Sequence, residues 1–162
     1  SYPDQIQILI SKLEDQRRLV RLGSISSIYI IIKKFNVLEY IDLVHNIIQV
    51  VFDSLRNFEI HEEIFLISCL EVLTLFTNTS FNQKIVENLR FLCMFLTDFN
   101  FPKLQKSSFN LIMQCGEIGL KLLIDICSKD YIDYQNFILS SLLKTPHIQR
   151  YIISKALMSD IY

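Results

Sequence analysis

Residues 15–28, DQRRLVRLGSISSI, contain the pattern that decides the fold. Val20, Ser24 and Ile28 follow one another at intervals of four residues, so they lie on one face of a helix. A small residue between two aliphatic ones lets a neighbouring helix approach closely, while the aliphatic side chains fill the layer between the helices. The pattern recurs as Ile64–Ser68–Val72, Leu104–Ser108–Ile112 and, less completely, Phe137–Ser141–Thr145. The sequence therefore predicts helices that pack repeatedly in the same way.

The composition of the chain favours an all-α fold. Of the 162 residues, only three are Gly and three are Pro, whereas 51% are hydrophobic. Folds that contain β-sheets need many tight turns, and tight turns consume Gly, Pro, Asn and Asp. Long helices joined by short polar loops need few such residues. The length suits one domain over residues 1–162, and because the chain does not begin with Met we expect it to be a segment of a longer protein.

The spacing of apolar residues predicts nine helices. They are expected at residues 3–13, 16–35, 37–55, 61–76, 80–97, 102–115, 117–128, 131–144 and 147–160. The third has the most complete apolar stripe, formed by Leu38, Ile41, Val44, Ile47, Ile48, Val51, Phe52 and Leu55. Successive helices form pairs of about 30–45 residues, a period that is typical of a stacked solenoid rather than a closed bundle.

Residues 15–28 also resemble the signature of the HEAT repeat. That signature has an Asp in the turn, here Asp15, then Val-Arg five and six residues later, here Val20 and Arg21, then a small residue and an aliphatic one. The resemblance implies a right-handed α-solenoid of HEAT or armadillo type, with about four helix pairs and a ninth helix. It also implies a structural tie in which Arg21 bonds Asp15 and holds the turn against the second helix.

The other predicted pairs match this signature only in pattern. In the fourth pair Asp130 begins a similar turn, but Gln135 and Asn136 stand where Val-Arg is expected. In the third pair Asp98 precedes Leu104 by one residue too many, and the second pair has no Asp in its turn. The resemblance is therefore specific to the first pair.

No arrangement of residues indicates an enzyme. His61-Glu62-Glu63 resembles the start of a metalloprotease helix, but Phe65 stands where the second His ligand belongs. The four cysteines, Cys69, Cys93, Cys115 and Cys127, lack metal-site spacing and are typical of apolar thiols in a reducing compartment. We expect a non-enzymatic chain without metal or cofactor. Because it shows neither a signal peptide nor a membrane-spanning apolar run, we expect a cytoplasmic or other intracellular location without membrane contact.

Charge is distributed unevenly along the chain. Residues 1–35 carry six Lys or Arg against three acids, residues 36–80 carry one against seven, and residues 81–162 carry nine against seven. The overall charge of −1 gives no reason to expect nucleic-acid binding. Glu62, Glu63 and Glu71 would favour a basic peptide in a concave groove formed by the second helices of the pairs.

The turns within the helix pairs form the other candidate surface. In a solenoid of helix pairs such turns align along one edge, and here they combine cations with aromatic side chains, the residue types that dominate binding energies at interfaces. The candidate partner-binding residues are Arg17, Arg18, Arg56, Phe58, Phe99, Phe101, Lys103, Lys129 and Tyr131. We expect a scaffold module for protein–protein interaction that uses these turns or the groove.

Other assignments remain open. HEAT arrays of the TOG type bind tubulin through such turns, and the acidic surface of tubulin would suit Arg17, Arg18, Lys103 and Lys129. TOG domains usually present a Trp in the first turn, however, and this chain contains no Trp. A third alternative is a structural slice of a larger solenoid. The final predicted helix stays apolar at Ile148, Ile152, Ile153, Ala156 and Leu157, which indicates further repeats or self-association through that helix.

Overall fold

A computed structural model describes residues 1–97, 101–128, 132–146, 150, 154, 155 and 158. These residues form helices joined by short turns and contain no strand, which confirms the all-α prediction. The α-helices are α1 (Tyr2–Ser11), α2 (Arg18–Lys34), α3 (Ile41–Arg56), α4 (Glu63–Thr74), α5 (Asn82–Val86), α6 (Leu89–Leu92), α7 (Pro102–Gln114), α8 (Glu117–Ser128) and α9 (Ile132–Leu143). Short 3₁₀ helices occupy Val37–Glu39, Phe58–Ile60 and Cys93–Thr97.

Two of the predicted helices differ from the structure. The continuous helix expected over residues 80–97 is wrong, because this segment divides into α5, α6 and a 3₁₀ helix. Asn88 breaks it with φ −109° and ψ 10°, a conformation that Asn adopts readily because its side chain competes for backbone hydrogen bonds. The third predicted helix begins later than expected, since Tyr40 has non-helical dihedrals (φ −104°, ψ 79°). Most of the predicted helix at 147–160 lies outside the described residues.

The packing divides the chain into two compact units, Ser1–Ile85 (unit 1) and Val86–Tyr162 (unit 2). In unit 1, α1 packs against α2 and α3 against α4, and the two pairs join through contacts between α2 and α4 and between α1 and α3. The core between them is fully buried and includes Ile25, Ile28, Val44, Ile47, Val51 and Leu73. A single domain over residues 1–162 stays a prediction.

In unit 2, α7 packs against the 3₁₀ helix Cys93–Thr97 and against α8, and α8 packs against α9. Ser108 is fully buried in α7, and its hydroxyl donates to the carbonyl of Leu92 in α6 at 2.7 Å. The amide of Gln105 donates to the Leu96 carbonyl at 2.8 Å. Polar side chains of α7 therefore take the place of missing backbone donors, one for a carbonyl of α6 and one for a carbonyl of the 3₁₀ helix that follows it.

The recurring small residue is buried in two of its four positions. Ser24 and Ser108 lie in the core, whereas Ser68 and Ser141 are half-buried. Ser24 and Ser68 donate to carbonyl groups of their own helices, at 2.7 and 2.9 Å. Ile64, which was expected to fill the layer between repeats, is exposed. The pattern thus identifies close packing correctly at Ser24 and Ser108 only.

The amino-terminal end of the α3 stripe is also uncovered. Leu38 and Ile41 belong to the stripe that the sequence predicts as buried, yet both are exposed. They precede or begin α3, so they project beyond the region where α1 and α4 cover that helix. Within the described residues, none of the helices has the length and apolarity needed to cross a lipid bilayer.

Candidate functional site

Arg21 joins the turn of the first helix pair to the turn of the second. Its Nη1 donates to the main-chain carbonyls of Asp15 and Gln16, at 2.7 and 3.1 Å, and its Nη2 donates to the carbonyl of Ile60 at 3.3 Å. Residue 60 is 39 positions further along the chain. The expected tie between Arg21 and Asp15 therefore exists, but it uses the main-chain carbonyl of Asp15 instead of its carboxylate.

The carboxylate of Asp15 is bound by Arg17. Oδ1 accepts from the backbone N–H of Arg17 at 2.9 Å and from its Nε at 3.0 Å, while Oδ2 accepts from Nη2 at 3.1 Å. These hydrogen bonds favour the ionised carboxylate and lower the pKa of Asp15 to about 2. The sequence predicted that Arg17 faces a partner; the structure shows that its exposed guanidinium forms a two-point pair inside its own turn, and partner binding stays a prediction.

Arg18 pairs with Glu62 across the two turns. The distance between Arg18 Nη1 and Glu62 Oε1 is 2.6 Å, and both side chains remain partly exposed. Arg18 is the first residue of α2 and Glu62 immediately precedes α4, so the pair connects the starts of these two helices. The sequence predicted that Arg18 faces a partner; this stays a prediction, with the addition that the exposed guanidinium is paired with Glu62.

Large apolar side chains surround this pair. Leu19, Ile60 and Ile64 are 72%, 62% and 55% exposed, and each lies within two residues of Arg18 or Glu62. We call Arg18, Leu19, Ile60, Glu62 and Ile64 the helix-start surface. It presents exposed aliphatic side chains beside an ion pair, so a partner could cover apolar area there while the charged groups stay at the rim.

His61 lies between Ile60 and Glu62 in the chain and is buried, unlike these two neighbours. Its side chain is only 8% exposed, its ring stacks on Phe65 with centroids 4.1 Å apart, and neither ring nitrogen has a hydrogen-bond partner. Burial, together with the positive charge of Arg21, lowers the pKa of His61 to about 4. The imidazole is therefore neutral at physiological pH and acts as an apolar group in the packing of α4.

The remaining predicted partner-binding residues are divided between the two units. In unit 1, Arg56 is exposed. Its Nη1 lies 3.5 Å from Oδ1 of Asp53, and its Cζ lies 5.7 Å from the centroid of the Phe52 ring. Phe58 is half-buried. In unit 2, Phe101 is half-buried and Lys103 is exposed. Phe99, Lys129 and Tyr131 lie outside the described residues. The structure thus brings together the turns that contain Arg17, Arg18 and Phe58.

The three acids expected to attract a basic peptide differ in their surroundings. Glu62 is paired with Arg18, Glu63 is half-buried, and Glu71 is exposed on α4. Of the three carboxylates, Glu71 therefore fits best the sequence-based expectation of an exposed acid that could attract a basic peptide. The acidic excess of residues 36–80 is partly compensated by the basic residues of α2 and its preceding turn.

The thiol groups are unsuited to nucleophilic chemistry. Burial raises the pKa of Cys69 and Cys127, that of Cys93 to about 12 and that of Cys115 to about 11. All are therefore protonated near neutral pH, and the thiolate is the reactive form. In the part of the chain that the structure describes, no group of three His, Cys, Asp or Glu side chains could hold a metal ion.

Sequence reasoning did not predict that the apolar members of the helix-start surface are exposed; it placed Ile64 between repeats and did not single out Leu19 or Ile60. A signal was present in α2, where Leu19, Gly23, Ser26 and Ile30 are spaced by four, three and four residues and are all exposed. This second stripe contains two large aliphatic residues on the side away from the core. An apolar residue outside the main stripe of a helix is therefore the feature that could have identified the surface.

Comparisons with known proteins leave the family open. The chain has no significant similarity to a protein-family model, to a curated protein or to a solved structure. Membership of the HEAT or armadillo family accordingly stays a prediction.

Proposed function

We propose that the chain is a non-enzymatic protein-binding module that uses the helix-start surface of unit 1. The observation that carries the proposal is the exposure of Leu19, Ile60 and Ile64 around the Arg18–Glu62 pair. Leaving such aliphatic side chains in water forgoes roughly 25 cal/mol for each Å² of apolar area that a partner could cover. A partner helix or peptide with apolar anchors would cover them, and its polar groups would bond Arg18 and Glu62 at the edge.

The surface is preorganised for such binding. Arg21 fastens the two turns through three carbonyl groups, and the ring of His61 packs on Phe65. A surface that is rigid before binding loses less conformational entropy when the partner arrives. This favours recognition by docking onto an existing shape.

We further propose that α1–α4 are two repeats of HEAT type within an α-solenoid. The proposal is supported by the way α2 packs against α4 and α1 against α3, as expected for two stacked helix pairs. The tubulin alternative receives no such support, because the packing of α1–α4 does not bear on it and the chain contains no Trp.

Photo-crosslinking tests the proposed surface. A photoreactive amino acid is placed at Leu19 or at Ile60, and the control position is Asn110, an exposed residue of α7 in unit 2. We expect the same partner to be captured from both surface positions but not from the control. Equal capture at all three positions, or none at Leu19 and Ile60, would contradict the proposal.

The captured partner is then purified and titrated by calorimetry. Leu19→Asp and Ile64→Ser are expected to weaken its binding at least tenfold, while Asn110→Asp leaves it unchanged. Leu19 lies in the first turn of α2, where an acidic side chain is favoured by the helix dipole, so the substitution should preserve the fold. Unchanged binding by a folded Leu19→Asp variant would refute the assignment.

A further inference from the structure

The segment that joins α3 to α4 bonds to α2 at two points. The carbonyl of Ile60 accepts from Nη2 of Arg21 at 3.3 Å, and the carboxylate of Glu62 accepts from Nη1 of Arg18 at 2.6 Å. His61 is the residue between these two points. A movement of its backbone therefore displaces both of the groups that bond to α2.

The ring of His61 is the buried group of this segment. Of residues 57–62, His61 alone has a buried side chain, and the others are exposed or, in the case of Phe58, half-buried. The imidazole stacks on Phe65, with 4.1 Å between the ring centroids and 23° between the planes. Residues 57–62 can therefore leave α2 while the buried side chains of α3 keep their own contacts, so this movement is a local opening of the fold.

The imidazole of His61 has no means of holding a proton in its present position. Both ring nitrogens are buried, and neither has a hydrogen-bond partner. A protonated imidazole has two N–H donors instead of one and carries a charge. Burying an unpaired charge costs far more than burying an unpaired polar group. Proton uptake therefore favours a conformation in which both N–H groups reach water.

The surroundings of His61 disfavour the proton in the same sense. Burial, and after it the positive charge of Arg21, lowers the pKa of the imidazole to about 4. The carboxylates of unit 1 that are paired at this end bond to arginines, as Asp15 does to Arg17 and Glu62 to Arg18, and none of them bonds to the ring. The charged side chains of the segments that meet here are Asp15, Arg17, Arg18, Arg21, Asp53, Arg56, Glu59, Glu62 and Glu63.

We propose that His61 is a pH-sensitive switch for the helix-start surface. When the imidazole takes up a proton, its ring moves from Phe65 into water and residues 60–62 leave α2. The hydrogen bond from Arg21 to Ile60 and the pair of Arg18 with Glu62 are then lost, and the helix-start surface loses its arrangement. A partner bound there is released in acid, a consequence that rests on the function proposed above, whereas the movement of residues 60–62 does not.

The two pKa values of His61 set the size of the effect. In the open form the imidazole is in water and has its ordinary pKa of 6.5, while in the closed form its pKa is about 4. Because the open form binds the proton more readily, acid favours opening. The ratio of open to closed chains should rise roughly 30-fold between about pH 7.5 and about pH 5.

Hydrogen exchange of the free chain, followed by NMR at these two pH values, tests the movement. The backbone N–H of His61 donates to the carbonyl of Phe58 at 3.1 Å, and that of Ile60 donates to the carbonyl of Asn57 at 3.2 Å. A 3₁₀ helix of three residues does not persist without its packing, so both bonds open with the segment. The protection of these two amides should fall roughly 30-fold in acid, and that of Val51 in the core of α3 much less.

Two variants assign the movement to His61. In His61→Phe, which keeps an aromatic ring on Phe65 and cannot titrate, the protection of the Ile60 amide should not depend on pH. His45→Gln is the matched control, because it removes a histidine of α3 and should behave like the wild type. Protection that is independent of pH in the wild type, or that falls equally in His61→Phe, would overturn the proposal.

Photo-crosslinking from Leu19 separates the switch from the proposed function. We expect the partner to be captured at the neutral pH by the wild type and by His61→Phe, and at the acid pH by His61→Phe alone. Capture by the wild type at both pH values, or its loss from both chains in acid, would refute the regulation of binding. Absence of capture at the neutral pH would refute the proposed function itself, while the exchange experiment, which contains no partner, would still decide whether residues 60–62 move.

Discussion

At the scale of single residues, three neighbouring arginines have three different partners. Arg17 binds the carboxylate of Asp15, Arg18 binds Glu62, and Arg21 binds main-chain carbonyl groups in both turns of unit 1. The guanidinium group has five donors in a rigid plane, so a single Arg can bridge several carbonyl oxygens. The resemblance to the HEAT signature predicted a bond between Arg21 and Asp15, and the sequence left Arg17 and Arg18 free to face a partner. It did not show which acceptor each would find, since Ile60 is brought to Arg21 only by the packing of α2 against α4.

Replacing Arg21 is expected to destabilise the fold. Arg21→Ala removes the donor for the carbonyls of Asp15, Gln16 and Ile60 and should lower the free energy of unfolding by about 1–2 kcal/mol. Arg17→Ala is the matched control, because exposed ion pairs contribute little to stability. Urea denaturation of the two variants measures the difference. Equal stability of both would show that the carbonyl contacts of Arg21 are not important for the fold.

His61 should make stability depend on pH. The folded chain holds the pKa of His61 at about 4, whereas the unfolded chain has the ordinary value of 6.5. Between these values the unfolded chain binds more protons, so stability is full above pH 6.5 and falls as the pH decreases towards 4. The loss contributed by this residue should reach about 3 kcal/mol.

The variant His61→Phe isolates this contribution. Phe keeps the stacking on Phe65 and carries no group that titrates, so the pH dependence between 4 and 6.5 should become nearly flat. Urea midpoints measured at intervals of pH provide the comparison. The same slope in variant and wild type would assign the effect to other groups. Asp15 contributes in a lower window, because the pKa of its carboxyl is about 2 in the folded chain.

At the scale of the elements, α8 approaches α7 closely at Gly119. A Cβ built on Gly119 would clash with the carbonyl oxygen of Ile112, so a larger residue there requires the helices to separate. Gly116, which follows α7, has a φ of 73° and reverses the chain into α8. The sequence predicted both helices and the turn between them. It did not reveal the close approach, because Gly119 alone does not indicate what lies beside it.

Gly119→Ala is therefore expected to destabilise unit 2, by about 1–3 kcal/mol. Gly23→Ala is the matched control, since a Cβ on Gly23 in α2 meets nothing within 4 Å. In an exposed helix interior this second change should stabilise the chain by about 0.5–1 kcal/mol. Thermal unfolding should thus shift in opposite directions for the two variants. A gain in stability for Gly119→Ala would refute the close packing of α7 and α8.

At the scale of the whole molecule, the uneven charge of the chain is partly an internal feature of unit 1. The basic residues of 1–35 and the acidic residues of 36–80 meet because α2 packs against α4, as the Arg18–Glu62 pair shows. Read from the sequence, the acidic segment suggested a groove for a basic peptide. The pairing removes part of that negative potential, while the exposed aliphatic residues of the helix-start surface become the stronger candidate for binding.

What the sequence by itself determined is the helical class of the protein and most of its helices. Apolar periodicity and the scarcity of turn residues are local properties of the sequence. They favour helices regardless of how those helices later pack. The tertiary structure decided where each stripe is covered and where it is left open, as at Leu38, Ile41 and Ile64. Periodicity shows which side of a helix is apolar, but exposure depends on whether a distant segment reaches that side. The exposed apolar members of the helix-start surface therefore became visible only when the four helices of unit 1 were packed together.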